Sequence, residues 1–113
     1  MSNNYLFRCK GGNPAVNAEM ECPVELLPRF GGWTIGRSPE CQLVLPCRSV
    51  ELLHVCLEDT EVAGKLRLVH LKTGRVSSVH DDRNRNLPVG ESCELTLPCV
   101  IGVADVKISI SIV

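Results

Sequence analysis

The stretch of sequence that decides the fold is Trp33-Thr-Ile-Gly-Arg-Ser-Pro-Glu-Cys-Gln-Leu-Val-Leu-Pro-Cys-Arg-Ser-Val-Glu-Leu-Leu-His54. Its apolar and turn-forming residues predict, in order, a strand, a loop, a short strand, a loop and a strand. Gly36-Arg37 follows the first strand and His54 opens the last one, so two loops, at 37–41 and 46–53, should emerge at one end of a sheet. Because loops on a rigid β scaffold often carry binding sites, we expect a ligand site at this end.

Short alternating segments continue on both sides of this stretch. Strands are predicted at 5–9, 65–71, 92–97 and 100–103, and the segment 15–27 is interpreted as extended. The last strand has the strongest alternation: one face carries Val106, Ile108, Ile110 and Ile112, and the other carries Lys107, Ser109 and Ser111. About ten short strands with turns roughly every 8–12 residues predict an all-β sandwich. The polar segment His80–Asn86 is interpreted as a solvated loop.

Length and composition fit a single domain covering residues 1–113. The chain is 44% hydrophobic and 22% charged, with a formal net charge of −1, so no strong field directs it to nucleic acid or to a membrane. No apolar run is long enough to span a bilayer, and the N-terminus has no signal-peptide pattern. We therefore expect an intracellular protein, the N-terminal domain of a longer chain, with no direct contact to nucleic acid or membrane.

The seven cysteines and three histidines show no catalytic or metal-binding spacing. The cysteine number is odd and no Cys-x-x-Cys pair occurs, so the thiols are expected to be reduced and to serve mainly as small core residues. The histidines are scattered, and no nucleophile elbow or phosphate-binding glycine loop is present. We expect no enzymatic activity, no metal and no cofactor.

Several of these motifs together resemble a known family. The segment Ile35-Gly-Arg-Ser38, the run Leu43-Val-Leu-Pro46 and a histidine seventeen residues after the arginine resemble the core of a forkhead-associated (FHA) domain. The turn at 87–91 and the segments 100–103 and 106–108 resemble its closing strands. The Arg-Ser-Pro-Glu-Cys run and segment 101–106 are most similar to the N-terminal FHA domain of DNA damage checkpoint mediators, those of insects in particular. The resemblance implies a sandwich of about eleven strands that binds phosphothreonine peptides of partner proteins; for the mediator branch it implies a nuclear homodimer.

The resemblance also shows which site positions this chain has kept and lost. Arg37 matches the arginine that contacts phosphate, and Gly36 and His54 match framework positions. Glu51 stands where the family has a phosphate-binding serine, and Thr73-Gly74 replaces an Asn-Gly pair that holds the peptide backbone. A phosphothreonine carries about −1.5 to −2 charges at neutral pH, so a glutamate in this place opposes binding. We expect a degenerate site with weak or absent phosphopeptide binding.

Two alternatives remain open for Glu51: it pairs with Arg37 in place of the missing phosphate, or it points to solvent. Leu52 and Leu53, which replace commonly polar residues, are either exposed or tucked under the loop. If exposed they would attract a partner, so the candidate interface of a homodimer comprises Leu52, Leu53, Ile110 and Ile112.

A second interpretation keeps the phosphate chemistry. Arg48 and Ser49 lie on the same loop as Glu51, two to three residues earlier, and Arg75 lies in the later turn. Together with Arg37, these residues would form a phosphothreonine-peptide reader of shifted geometry.

Overall fold

The protein is an all-β sandwich, described by a computed structural model over residues 3–71 and 78–113. Its ten strands in this range are β1 (Asn4–Gly11), β2 (Val16–Pro23), β3 (Thr34–Gly36), β4 (Leu43–Val44), β5 (Val55–Asp59), β6 (Lys65–His70), β7 (Val79–His80), β8 (Ser92–Thr96), β9 (Cys99–Val103) and β10 (Val106–Ile112). One sheet has the order β2-β1-β10-β9-β7 and the other β4-β3-β5-β6-β8. The pairs are antiparallel except β3 with β4, which is parallel. The predicted sandwich is confirmed.

The period of two in β10 places its apolar residues in the core between the sheets. Val106, Ile108 and Ile110 are fully buried, and Lys107 between them is exposed. Leu57 of β5 belongs to the same buried cluster from the opposite sheet. Full burial of a side chain of this size contributes about 1.5–3 kcal/mol. Because Ile110 is part of this core, its predicted place in an exposed interface is wrong.

Some element boundaries and orientations differ from those predicted. The ambiguous segment 15–27 is extended as expected, but it forms an eight-residue edge strand, β2, followed by a single 3-10 turn at Val24–Leu26. In β6 the inward-facing residues are Leu66, Leu68 and His70. The 80–86 loop is not simply solvated: Asp81 is buried and accepts hydrogen bonds from the main-chain N–H groups of Arg83 and Arg85.

All seven cysteines lie in the described residues, and all are free thiols. Five are buried, and Cys93 and Cys99 are partly buried. Burial raises the pKa of Cys9 to about 11 and that of Cys99 to about 12. These groups therefore remain protonated at neutral pH and behave as small apolar side chains, as predicted. Within residues 3–71 and 78–113, no helix is long and apolar enough to cross a membrane.

Candidate functional site

The two loops of the opening stretch lie against each other at one end of the sandwich. This follows from the antiparallel pairing of β3 with β5, which places the end of β3 and the start of β5 at the same edge. The main-chain N–H of Arg37 donates to the carbonyl of Glu51 at 2.8 Å, and that of Ser38 donates to the carbonyl of Leu52 at 3.1 Å. The Cys41 thiol donates to the same Leu52 carbonyl at 3.3 Å. We call this end, comprising loops 37–41 and 46–53, the loop end.

Gly36 allows the loops to approach this closely. A Cβ atom at this position would lie 2.3 Å from the carbonyl oxygen of Leu52 and 3.0 Å from that of Glu51. Any side chain would therefore push the second loop away from the end of β3. The carbonyl of Gly36 also accepts a hydrogen bond from the N–H of Leu45 at 2.8 Å, which fixes the first loop as well.

The Glu51 side chain neither forms an ion pair with Arg37 nor points to solvent, so both alternatives for it are wrong. The Arg37 Nε donates to the main-chain carbonyl of Val50 at 3.1 Å. The ion pairs of the described residues do not include Arg37 with Glu51; what joins the two residues is a main-chain hydrogen bond. Glu51 does not point to solvent either, because it is only 5% exposed. Arg37 thus holds the second loop by binding a main-chain carbonyl of that loop. Glu51 belongs to the buried framework.

His54 holds the second loop from the buried interior of the sandwich. Its Nδ1 accepts a hydrogen bond from the main-chain N–H of Glu51 at 3.1 Å, and its own main-chain N–H donates to the carbonyl of Ile35 at 3.0 Å. The ring is fully buried and stacks on His70, with centroids 5.6 Å apart. His70 in turn donates from Nδ1 to the carbonyl of Leu87 at 2.7 Å, since a carbonyl oxygen can only accept. His54 thus supports the loop from within, with its ring shielded from solvent.

Arg48 and Ser49 lie where the loop end meets two other turns. The N–H of Arg48 donates to the carbonyl of Asn13 at 3.0 Å, and its side chain is exposed. The Ser49 hydroxyl donates to the Asp105 carboxylate in a short hydrogen bond. A hollow of about 400 Å³ opens here, lined by Arg37, Pro46, Cys47 and Arg48. With two arginines on its wall, this hollow is suited to an anionic group.

The remaining predicted site residues are those of the later turn and those of the candidate interface. Thr73, Gly74 and Arg75 lie outside the described residues. Leu52 and Leu53 are exposed at the loop end, at 55% and 44%. Ile112 is partly exposed, but it ends β10 at the opposite end of the sandwich. The four candidate interface residues therefore do not form one surface.

Sequence reasoning missed the contribution of two distant turns to the loop end. Besides the Ser49–Asp105 bond, the Cys47 thiol donates to the carbonyl of Pro14 at 3.3 Å. A Cβ on Gly12 would lie 2.4 Å from that sulfur, so the glycine permits the contact. The glycines and the proline at 11–14 are typical of a turn, but no local pattern indicates which loop that turn contacts.

Sequence comparison identifies no relative of this chain. No protein-family model matches it, and no curated protein matches it.

Comparison of the fold with solved structures finds FHA domains. The FHA domain of CT664 protein from Chlamydia trachomatis matches with a TM-score of 0.70 and 16% identity, over 96% of each chain. An FHA domain solved in work on phosphothreonine-dependent FHA domain interactions matches at 0.66 and 18%, over 96% of this chain and 95% of that one. The MEK1 FHA domain in complex with a phosphothreonine peptide of HOP1 matches at 0.62 and 15%, over 97% and 95%. The chain therefore has an FHA-type fold over nearly its whole length.

Proposed function

We propose that this chain is a non-catalytic protein-interaction and homodimerisation module whose phosphothreonine site is degenerate. The observation that carries the proposal is the buried Glu51 at the position where FHA domains resembling this chain hold a phosphate-binding serine. The FHA-type fold supports an interaction role, since solved domains of this fold include one bound to a phosphothreonine peptide.

Electrostatics argues against tight phosphate binding at this position. Two unit charges about 4 Å apart interact by about 4 kcal/mol at an effective dielectric constant of about 20. A hydrogen bond to a charged group contributes roughly 1.5–3 kcal/mol. A repulsion of this size between a bound phosphate and the Glu51 carboxylate would offset what one arginine provides. The Ser49 hydroxyl is already engaged by Asp105, and the Arg37 Nε by Val50.

Exposed apolar side chains at the loop end support a protein partner. Leu52 and Leu53 are adjacent and exposed on a loop whose backbone is held by Gly36 and His54. Adjacent exposed leucines on an ordered loop favour burial against another protein surface. A second copy of the chain is the partner that the mediator resemblance implies.

The cellular setting rests on sequence resemblance. The similarity of 37–46 and 101–106 to checkpoint mediators supports a nuclear module of the DNA damage response that docks to other proteins and does not contact nucleic acid directly. The net charge of −1 agrees with this proposal.

Calorimetric titration with phosphothreonine peptides tests the degenerate site. We expect no saturable binding at micromolar concentration, with the unphosphorylated peptides as the matched control. Micromolar binding that disappears in Arg37→Ala would refute the proposal.

Sedimentation equilibrium tests self-association. We expect a dimer whose dissociation constant rises in Leu52→Ser and Leu53→Ser, with Val100→Ser as a control, since Val100 is a half-exposed residue on β9. A monomer at high protein concentration would contradict the dimer.

The hollow beside Arg37 and Arg48 favours a second candidate, the phosphothreonine-peptide reader of shifted geometry. Its volume of about 400 Å³ and its two arginines suit a phosphate. In the calorimetric experiment this candidate requires phosphate-dependent binding that is lost in both Arg37→Ala and Arg48→Ala.

A further inference from the structure

A groove crosses the end of the sandwich opposite the loop end. Strand β5 begins next to His54 and ends at Asp59, so the loops around 29–31 and 59–64 lie at the far end of the sheet. Two hollows of about 330 and 370 Å³ open there. Both are lined by Arg29, Asp59, Thr60, Glu61 and Val62, so they adjoin each other, and we call the two together the far groove.

The far groove has an apolar wall that is held in place. Phe30 is 89% exposed and Val62 is 53% exposed, and both line the groove. The other three aromatic side chains of the chain are buried: Tyr5, Phe7 and Trp33. The loop that carries Phe30 is fixed by its neighbours, because the N–H of Gly31 donates to the Glu58 carboxylate at 2.7 Å. Phe30 and Val62 thus form an exposed apolar patch beside a hollow, and such patches favour contact with another protein.

Asp59 gives the floor of the far groove an available negative charge. Its side chain lines both hollows, and it lies close enough to the Tyr5 hydroxyl to raise the pKa of that group. The basic side chains around it are engaged elsewhere: Arg29 with Glu61 at 3.5 Å, Arg67 with Glu58 at 3.3 Å and Lys65 with Glu94 at 3.0 Å. Over residues 3–71 and 78–113, no basic side chain forms an ion pair with Asp59.

The charge lining the far groove is negative as a whole. Four acidic side chains line it, Glu25, Asp59, Glu61 and Glu94, against two basic ones, Arg29 and Arg67, which leaves a formal charge of −2. A partly buried carboxylate attracts a cation more strongly than one in bulk water, because screening there is weaker.

We propose that the far groove binds a partner protein segment in which an arginine or lysine stands next to an apolar residue. The cation reaches the Asp59 carboxylate, and the apolar side chain packs on Phe30 and Val62. An arginine or lysine supplies donors for a charge-assisted hydrogen bond to the carboxylate, and its aliphatic stem covers apolar surface. This surface is separate from the loop end, so the proposal does not depend on the state of the phosphate site.

Selection from a phage-displayed library of random twelve-residue peptides, followed by anisotropy titration of the enriched synthetic peptide, tests the proposal. We expect an enriched sequence with arginine or lysine beside an apolar residue. Asp59→Asn should weaken its binding about tenfold, and Phe30→Ser about fivefold or more. Two matched controls on other surfaces, Glu91→Gln and Val100→Ser, should leave the dissociation constant within about twofold.

The design separates binding from folding. Phe30 is almost fully exposed, so Phe30→Ser reports on the groove even if Asp59→Asn lowers stability. The proposal is overturned if no sequence is enriched, if the enriched peptides are acidic, or if both groove variants bind them as the parent does. It is also overturned if Phe30→Ser turns a dimer into a monomer, because the groove would then bind a second copy of the chain.

Discussion

Replacing Gly36 with alanine places a methyl carbon 2.3 Å from the carbonyl oxygen of Leu52 and 2.9 Å from its carbonyl carbon. Both atoms belong to the backbone, so the second loop must move about 1 Å to reach ordinary van der Waals separation. That movement breaks the hydrogen bonds from the N–H groups of Arg37 and Ser38, which now measure 2.8 and 3.1 Å. Each bond contributes about 1 kcal/mol, and a donor left without a partner adds a further cost.

We therefore expect Gly36→Ala to lower the free energy of unfolding by about 2–4 kcal/mol. For a domain of this size the melting temperature should fall by about 8 °C or more. Thermal unfolding followed by far-ultraviolet circular dichroism measures this, and urea titration gives the free energy directly.

Gly102 provides the matched control, because it is also buried in a strand and does not need a positive φ angle. A Cβ there would lie 3.3 Å from the Cβ of His80, a side-chain atom that can shift by a few tenths of an ångström. Within a strand, alanine is also more stable than glycine by roughly 0.5–1 kcal/mol, which offsets the cost of the tight contact. If Gly36→Ala and Gly102→Ala melt within about 2 °C of each other, the proposed backbone contact at Leu52 is wrong.

Three further predictions follow from titratable groups. Burial and the neighbouring Asp59 carboxylate raise the pKa of Tyr5 to about 12. Ultraviolet titration of this single tyrosine should show the raised pKa, and Asp59→Asn should lower that pKa. The free energy of unfolding should fall as pH rises from about 10 through 12. Burial raises the pKa of Asp81, but hydrogen bonds and the Arg85 guanidinium outweigh this and hold that pKa below its ordinary value. Stability from Asp81 is therefore present above about pH 4 and lost as pH falls through the lowered pKa, so urea unfolding of Asp81→Asn should show a weaker loss in acid. His54→Ala removes the acceptor of the Glu51 N–H and leaves a cavity, so urea unfolding should show a loss of about 2–4 kcal/mol; a loss below about 1 kcal/mol would contradict its role in the loop.

The sequence predicted the parts of this fold that depend on local periodicity. The alternation in 106–112 predicted that Ile108 and Ile110 share one face of a strand, and the Gly36-Arg37 pair marked the end of β3, because both patterns follow from the geometry of a single strand. The all-β class and the position of the two loops followed in the same way. The prediction that Ile110 lies in an interface was wrong because alternation shows which residues share a face but not which face is buried.

The details of the loop end depend on contacts between residues distant in sequence. The two predicted states of Glu51 considered only Arg37 and solvent, whereas the side chain is buried within the framework. The bond between Ser49 and Asp105 joins residues 56 positions apart. No pattern within one loop reports such a contact, because it arises only when β9, β10 and the second loop have been brought together by the sheets.

The far groove and the loop end are separate enough to be tested independently. Strand β5 connects them with five residues, which span about 16 Å at roughly 3.3 Å per residue. Side chains more than about 10 Å apart that share no partner usually act additively. A change at Leu52 should therefore leave peptide binding at Phe30 unaltered, and a change at Phe30 should leave the dissociation constant of the dimer unaltered. Coupling between the two surfaces would mean that the sandwich between them is not rigid. The roles of the far groove and the loop end would then have to be tested on the dimer or complex as a whole.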